Sequence, residues 1–261
     1  MTEYISLGQY IPVESFLHRL DPRIKIVSTL MLTVAVVSAG TMAELALLAT
    51  ALLVISSLSS IQLAEYWKGI TPFLFIILIT AVIKIFLVGG TSIVSVWFIN
   101  ITVEGLKSAL SLTVRLILII FSAQILLLTT SIVSLTDGLG ILLKPLEKIR
   151  FPVHELVMIM TISLRFIPVL LNESRRIRLA QISRGIDFRE GPAWDRAQTY
   201  FAILVPLINA SFQKANDLAE AMEARGYTAG KKRNRLNELS LSRSDYIYLL
   251  CISILSSGII I

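Results

Sequence analysis

The sequence predicts an all-α integral membrane protein: about five transmembrane helices plus a cytoplasmic domain of amphipathic helices set in before the last of them. Three observations predict it. Hydrophobic residues make up 55% of the 261 and charged residues 16%, and the mean hydropathy is +0.76. Soluble chains run at roughly 45–50% apolar and about 25% charged. Long runs without a single charge recur along the chain. The charges that do occur are gathered, with 17 of the 24 Lys and Arg and 12 of the 18 Asp and Glu lying between Ser131 and Asp245. This composition excludes a disordered chain and most soluble enzymes. A lone Cys251 excludes an internal disulfide and a cysteine-cluster metal site.

Each span follows from a charge-free run, because about 20 helical residues cover the ~30 Å of hydrocarbon. The runs Ile26–Ala43, Leu45–Ala64, Gly69–Ile83, Leu116–Thr136 and Tyr246–Ile261 place helices at about 25–41, 44–60, 70–88, 110–130 and 245–261. After Gly89-Gly90, the stretch from Thr91 to Thr102 is too short to cross and reads as an extracellular or re-entrant segment with Trp97 at the interface. Arg19, Arg23 and Lys25 precede the first span, the loop at Thr41–Glu44 has no Lys or Arg, and Lys68 follows the second. With the basic block after the fourth span, this asymmetry puts the N-terminus and the block in the cytoplasm of a multi-pass protein of the cell membrane. The chain so divides into 1–130 with four spans, 131–244 as the cytoplasmic domain, and 245–261 as the last span.

Inside the block, Val153–Leu171 is apolar but carries Arg165 and Pro168, and the apolar run Phe201–Phe212 is short and centred on Pro206. Amphipathic helices at the membrane surface fit both. The punctuation by Pro145, Pro152 and Gly191-Pro192 sets them at about 135–148, 153–183 and 193–225.

Two hexapeptides there share one pattern, Ala180-Gln181-Ile182-Ser183-Arg184-Gly185 and Ala221-Met222-Glu223-Ala224-Arg225-Gly226. Ala at i and Arg at i+4 share a helix face, and Gly supplies the cap that ends the helix. Ala180 and Ala221 are small and admit a partner surface closely. A single such end would serve only to complete the helix dipole; the duplication favours docking. An acidic stripe, Asp217, Glu220 and Glu223, lies beside Arg225, and Arg175, Arg176 and Arg178 precede the first motif as a solvated face or an anionic-lipid contact. Lys231, Lys232, Arg233 and Arg235 read as a positive-inside anchor.

No Gly-x-x-x-x-Gly-Lys-Ser/Thr loop, His-Glu-x-x-His or Gly-x-Ser-x-Gly motif is present, so the chain is read as neither an ATPase nor another enzyme, with no catalytic, cofactor or metal residues of its own. His18 and His154 are far apart and read as polar interface residues. Lys84 and Arg115 fall near membrane ends and read as snorkelling side chains.

The stretch Gly8-Gln9-Tyr10-Ile11-Pro12 with Ser15 and His18-Arg19-Leu20-Asp21-Pro22-Arg23-Ile24-Lys25 resembles the start of the transmembrane (T) component of energy-coupling factor transporters, whose wider family includes the cobalt-transport T component. Ser163-Leu164-Arg165-Phe166-Ile167-Pro168 and the paired Ala-x-x-x-Arg-Gly motifs resemble the same family, and together they cover nearly the whole chain in order. The resemblance implies a scaffold rather than a pore. Its membrane part holds an S component that carries the substrate, a vitamin or other micronutrient. Its coupling domain docks two ABC-type ATPase subunits, which bind the ATP. By the same resemblance Arg184 and Arg225 are the docking residues, flanked by Ser183, Gly185, Ala224 and Gly226; Ser183 stands where the family often has Ala. No nucleic-acid partner is implied. One alternative is a T component dedicated to a cobalt or nickel importer. Another is a self-contained secondary transporter, which needs intramembrane polar sites and repeated halves, with only Gly89-Gly90 as a hint of a broken helix.

Overall fold

The structure, a computed structural model, describes residues 10–89, 91–96, 99–188, 193–227 and 241–260. They form two compact units, Met1–Leu142 with Asn237–Ile261, and Leu143–Leu236. In the first unit a single turn, α1 (Phe16–Arg19), leads into α2 (Pro22–Ser38), α3 (Met42–Leu58), α4 (Leu63–Ile70) and α5 (Leu74–Leu87). A hairpin of β1 (Ser92–Val96) and β2 (Ile99–Thr102) follows, then α6 (Val103–Thr129), α7 (Ile132–Leu143) and, at the end of the chain, α10 (Arg243–Ile260). The second unit holds a 3-10 turn at Lys144–Ile149, α8 (Val153–Ser183) and α9 (Ala193–Ala224).

The helices begin where the sequence supplies a cap. Asp21 is the N-cap of α2, its carboxylate accepting from Arg23 N, and Pro22 fills the first position, where its missing N–H costs nothing. Thr41 and Glu44 form a reciprocal capping box on α3. Thr102 caps α6 through Gly105 N at 3.0 Å. Asp21 and Thr41 precede the charge-free runs that α2 and α3 themselves contain, so both helices start two or three residues earlier than hydropathy places them. For the third and fourth spans the difference is larger. Leu63–Leu87 is helical throughout, with a 3-10 turn at Thr71–Phe73, and its charged pair Glu65–Lys68 closes at 2.6 Å.

The stretch after Gly89 is an antiparallel hairpin pairing Val94 with Ile101, Ser95 with Asn100 and Val96 with Ile99. It is rich in β-branched residues, which favour a pleated backbone, and it is the one departure from an all-α chain among the described residues; Trp97 and Gly90 lie outside them. Its base is clasped by Glu104, which accepts from Thr91 N at 2.9 Å.

The core of the first unit is a set of helix-period stripes. Leu45, Leu48 and Leu52 of α3 meet Leu118, Phe121, Ile125 and Leu128 of α6 and Leu32, Ala35 and Val36 of α2. Tyr66 is fully buried against Phe121, ring centres 5.1 Å apart, with its hydroxyl 2.7 Å from Ser59 Oγ. Leu47, Leu53, Val54 and Leu58 on the opposite face of α3 are exposed, as lipid-facing residues are.

Polar groups inside this bundle are tied to helix ends. Arg115 does not snorkel, as sequence position suggests; its Nη2 donates to Ala39 O, the end of α2, at 2.6 Å. Lys25 Nζ donates to Thr129 O at 3.0 Å, at the end of α6. Asp245, only 2% exposed, accepts from Asp21 N at 2.9 Å and Ser242 N at 2.7 Å, pinning the start of the last helix to the start of the first long one. Arg23 in turn forks onto the Asp21 carboxylate at 2.9 and 2.7 Å. Burial raises the Asp21 carboxyl, but the hydrogen bonds and charge of Arg23 outweigh it and hold the group below its usual range.

Three helical stretches among the described residues are long and apolar enough to cross a membrane: Leu63–Leu87, Val103–Thr129 and Val153–Ser183; Met42–Leu58 is apolar but shorter. The third differs from the surface helix expected there. It runs unbroken through Arg165 and Pro168, so length and composition alone admit a span at α8.

Asp245→Ala removes the acceptor of two backbone N–H groups and an anion near Lys25. It is expected to cost about 3–5 kcal/mol, read as a lowered midpoint of thermal unfolding in detergent. Asp245→Asn, which keeps one acceptor, is expected to fall between it and wild type; equal stability of all three would contradict the pin.

A second expectation concerns pH. Nε2 of His18 lies 3.0 Å from Ile11 O and Nδ1 lies 2.6 Å from Ser15 Oγ, an arrangement that the neutral ring satisfies by donating from Nε2 and accepting at Nδ1. Burial lowers its pKa below the ordinary 6.5, partly offset by the Ile11 carbonyl. The folded state then binds this proton less readily than the unfolded one, and stability falls as pH drops through 6.5. Unfolding midpoints measured between about pH 7.5 and about pH 5.5 are expected to decline in wild type and to decline less in His18→Asn. An unchanged slope in the variant would remove His18 as the cause.

Candidate docking site

The second unit is a helical hairpin. Gln181 Nε2 of α8 donates to Ala202 O of α9 at 3.1 Å, and Lys214 of α9 pairs with Glu173 of α8 at 3.7 Å. As the α8 number falls the α9 number rises, so the two helices run antiparallel. Phe188, in the connection, is buried; it meets Tyr200 at 5.8 Å and carries the Arg178 guanidinium over its ring at 5.7 Å. These contacts fix the hairpin, and none of Gln181, Phe188 or Tyr200 stands out in the sequence. Gln181 lies inside the first hexapeptide, where its counterpart is Met222, and that asymmetry is the signal available.

Both hexapeptides end their helices in the same way. Arg184 follows the last residue of α8, and Gly185 takes φ +87°. Gly185 N donates to Ile182 O at 2.9 Å and Ile186 N to Gln181 O at 3.1 Å. At the end of α9, Gly226 takes φ +74°, Gly226 N donates to Glu223 O at 2.8 Å and Tyr227 N to Met222 O at 2.9 Å. Each is a Schellman closure, in which the chain's own N–H groups satisfy the last carbonyls. Left-handed φ requires glycine at both positions.

The closure leaves the arginines without a capping task. Arg184 and Arg225 are exposed, and among the described residues neither guanidinium has a hydrogen bond or ion pair. Ser183, Gly185, Ala224, Gly226, Ala180 and Ala221 are exposed as well, so each arginine stands on an open rim of small residues. The Ser183 hydroxyl donates to Leu179 O of its own helix at 3.1 Å, which makes this serine as self-contained as an alanine. The structure does not bring the two motifs together. From the Gln181–Ala202 and Glu173–Lys214 pairings and a rise of ~1.5 Å per residue, the tips stand about 35 Å apart at opposite ends of the hairpin. The acidic residues Asp217, Glu220 and Glu223 are exposed near the second tip. Lys231, Lys232, Arg233, Arg235 and Gly191-Pro192 lie outside the described residues. Among the described residues no group of three or more His, Cys, Asp or Glu could hold a metal ion.

An apolar helical bundle together with an antiparallel helix pair that carries two matched, exposed arginine ends defines the class, an α-helical membrane protein. The profile of the cobalt transport protein family matches residues 13–236. The chain is 42% identical over 264 residues to the energy-coupling factor transporter transmembrane protein EcfT of Clostridium kluyveri, covering 98% of each. It is 42% identical over 249 residues to that of Ruminiclostridium cellulolyticum (95% of this chain, 92% of the relative) and 40% over 257 residues to that of Listeria innocua (98% and 97%). The chain belongs to this family, the transmembrane proteins of energy-coupling factor transporters.

The closures predict a local effect. A Cβ at Gly185 or Gly226 meets nothing within 4 Å, so Gly→Ala carries only the backbone cost of the left-handed conformation, about 1–2 kcal/mol. Gly185→Ala and Gly226→Ala are each expected to fray one helix end, seen as faster amide exchange at 182–186 or 223–227 with the helix body unchanged. Unaltered exchange in both would show that the closures are dispensable.

Proposed function

We propose that this chain is the coupling subunit of an importer for vitamins or other micronutrients: two cytoplasmic ATPase subunits dock on Arg184 and Arg225, and a separate membrane S component carries the substrate. ATP is bound and hydrolysed by the partners. The observation that carries this reading is the pair of identical Schellman closures that leave two exposed guanidinium groups unpaired. Each can offer up to five hydrogen bonds in a fixed fork to carboxylates or carbonyls of a partner groove. A separation of about 35 Å suits one arginine to each of two subunits and excludes one shared groove.

The same pair favours a surface position for α8 over a span. Were α8 to cross the membrane, Arg175, Arg176 and Arg178 would move to the outer side, against the positive-inside bias. Arg184 and Arg225 would then stand on opposite sides, and cytoplasmic subunits could reach only one. With α8 and α9 on the cytoplasmic face, both tips are accessible. Orientation is testable by cysteine accessibility in a Cys251→Ser background. A cysteine replacing Asn216, exposed on α9, is expected to resist an impermeant reagent applied from outside, while one replacing Gly40, in the open α2–α3 turn, is expected to react. The reverse pattern would overturn the topology.

Docking is tested by pull-down of the ATPase subunits and by substrate uptake. Arg184→Ala and Arg225→Ala are each expected to weaken binding by about 2–5 kcal/mol with folding and insertion intact, since no core packing is lost. The double substitution is expected to abolish coupled uptake, and Lys to rescue poorly because it lacks the planar fork. Wild-type assembly and uptake in the double variant would return both motifs to simple helix ends.

A further inference from the structure

The start of α2, from Asp21 to Lys25, holds two remote parts of the chain at once. On one side lies the end of α6. Lys25 Nζ donates to Thr129 O at 3.0 Å, and the preceding carbonyl, Leu128 O, accepts from Ile11 N at 3.1 Å. Ser131 then accepts from Ser134 N at 3.2 Å at the start of α7. At Gly138 α7 lies directly on the first turn of α2, where an added Cβ would come within 3.0 Å of Pro22 Cβ and 3.2 Å of Arg23 N. On the other side lies the start of α10, where the Asp245 carboxylate accepts from Asp21 N and Ser242 N. Arg23, forked onto Asp21, completes the set. Asp21, Lys25 and Asp245 are all buried. These two parts are also where the chain leaves the first unit and returns to it. It passes to the second unit after Leu142, in the last turn of α7, and comes back at Asn237, ahead of α10.

We infer that Asp21, Arg23, Lys25 and Asp245 form one anchor that keeps both passages fixed to the membrane helices while the ATPases work, so that motion of the second unit is delivered to the spans instead of being absorbed at the joints. The inference rests on the docking of ATPases at Arg184 and Arg225 proposed above. Two features carry it. The first is that the grips share one turn of helix. Asp21 is tied through its N–H to α10 and through its carboxylate to Arg23, and Lys25, four residues on, is tied to α6. The second is burial. A charged group that loses its partner in the interior is left uncompensated, so the members hold one another, and weakening the α10 side loosens the α6 side as well. Two independent grips would show no such coupling. Thr130 marks the opening. It is 4% exposed, follows the carbonyl that Lys25 holds, and its hydroxyl has no hydrogen-bond partner among the described residues.

The test reads opening as the rate at which a maleimide alkylates a cysteine replacing Thr130, in a Cys251→Ser background, in the full chain purified with its ATPases. The replacement removes only an unpartnered hydroxyl. Lys25→Met keeps the length of the side chain and loses the donor to Thr129 O; it is expected to speed alkylation about tenfold, the factor that a hydrogen bond from a charged group carries. Asp245→Asn, on the far side of the anchor, is expected to speed it too, and makes the same comparison should Lys25→Met fail to insert. Tyr66→Phe, which weakens the core elsewhere by losing the bond to Ser59, is expected to leave the rate unchanged. Trapping the ATPases with ATP and vanadate is expected not to alter the wild-type rate but to raise that of either anchor variant further, a response to load that plain loss of stability would not give. An Asp245→Asn rate equal to wild type would mean two separate grips and overturn the proposal. So would a Tyr66→Phe rate as high as that of Asp245→Asn, or anchor variants that do not respond to trapping. A rise in the wild-type rate on trapping would make the start of α2 a moving joint and overturn it as well. Loss of the ATPases from the wild-type pull-down would sink the docking reading instead, and the rates in the chain alone would still decide whether the two grips are one.

Discussion

Backbone groups at helix ends need hydrogen-bond partners, and within hydrocarbon only the chain itself can supply them. Several polar side chains of the first unit answer to that need. Asp21, Thr41 and Thr102 satisfy N–H groups at the starts of α2, α3 and α6. Arg115 and Lys25 satisfy carbonyls at Ala39 and Thr129. Each is an ionisable or hydroxyl side chain spent on a helix end.

In the second unit the same constraint is met differently, and the difference makes the site. Backbone N–H groups of Gly185, Ile186, Gly226 and Tyr227 close the ends of α8 and α9. The adjacent arginines are thereby released. Where Arg115 is consumed by a carbonyl, the guanidinium donors of Arg184 and Arg225 remain unused among the described residues. Glycine at φ above +70° is what permits this, so the Gly of each motif acts on the Arg by relieving it.

Antiparallel packing then sets what two such ends can do. Because α8 and α9 are joined by a short connection and tied by Gln181–Ala202 and Glu173–Lys214, their C-terminal tips face opposite ways along the hairpin. Two equivalent exposed guanidinium ends therefore stand about 35 Å apart. On the side wall of the hairpin the Arg178 guanidinium lies over the Phe188 ring, and α9 carries an exposed apolar stripe.

Much of this was legible in the sequence by itself. The absence of charge fixes which segments are apolar helices, since a buried unpaired charge is too costly to tolerate. Proline and glycine fix where α8 and α9 begin and end, to within a residue or so of 153–183 and 193–224. The repeated Ala-x-x-x-Arg-Gly identifies both tips, because helix spacing and the glycine cap are local properties. Which face of each span is interior was not legible: α3 is apolar all round, and only its neighbours select Leu45, Leu48 and Leu52 for the core. Nor was the fate of Asp245 and Arg115, whose partners lie 224 and 76 residues away. Tertiary structure also turned the stretch after Gly89 into a hairpin, because strand pairing is decided between segments, not within them. That the two arginines are free and far apart likewise depends on chain closure and helix packing, which no single segment contains.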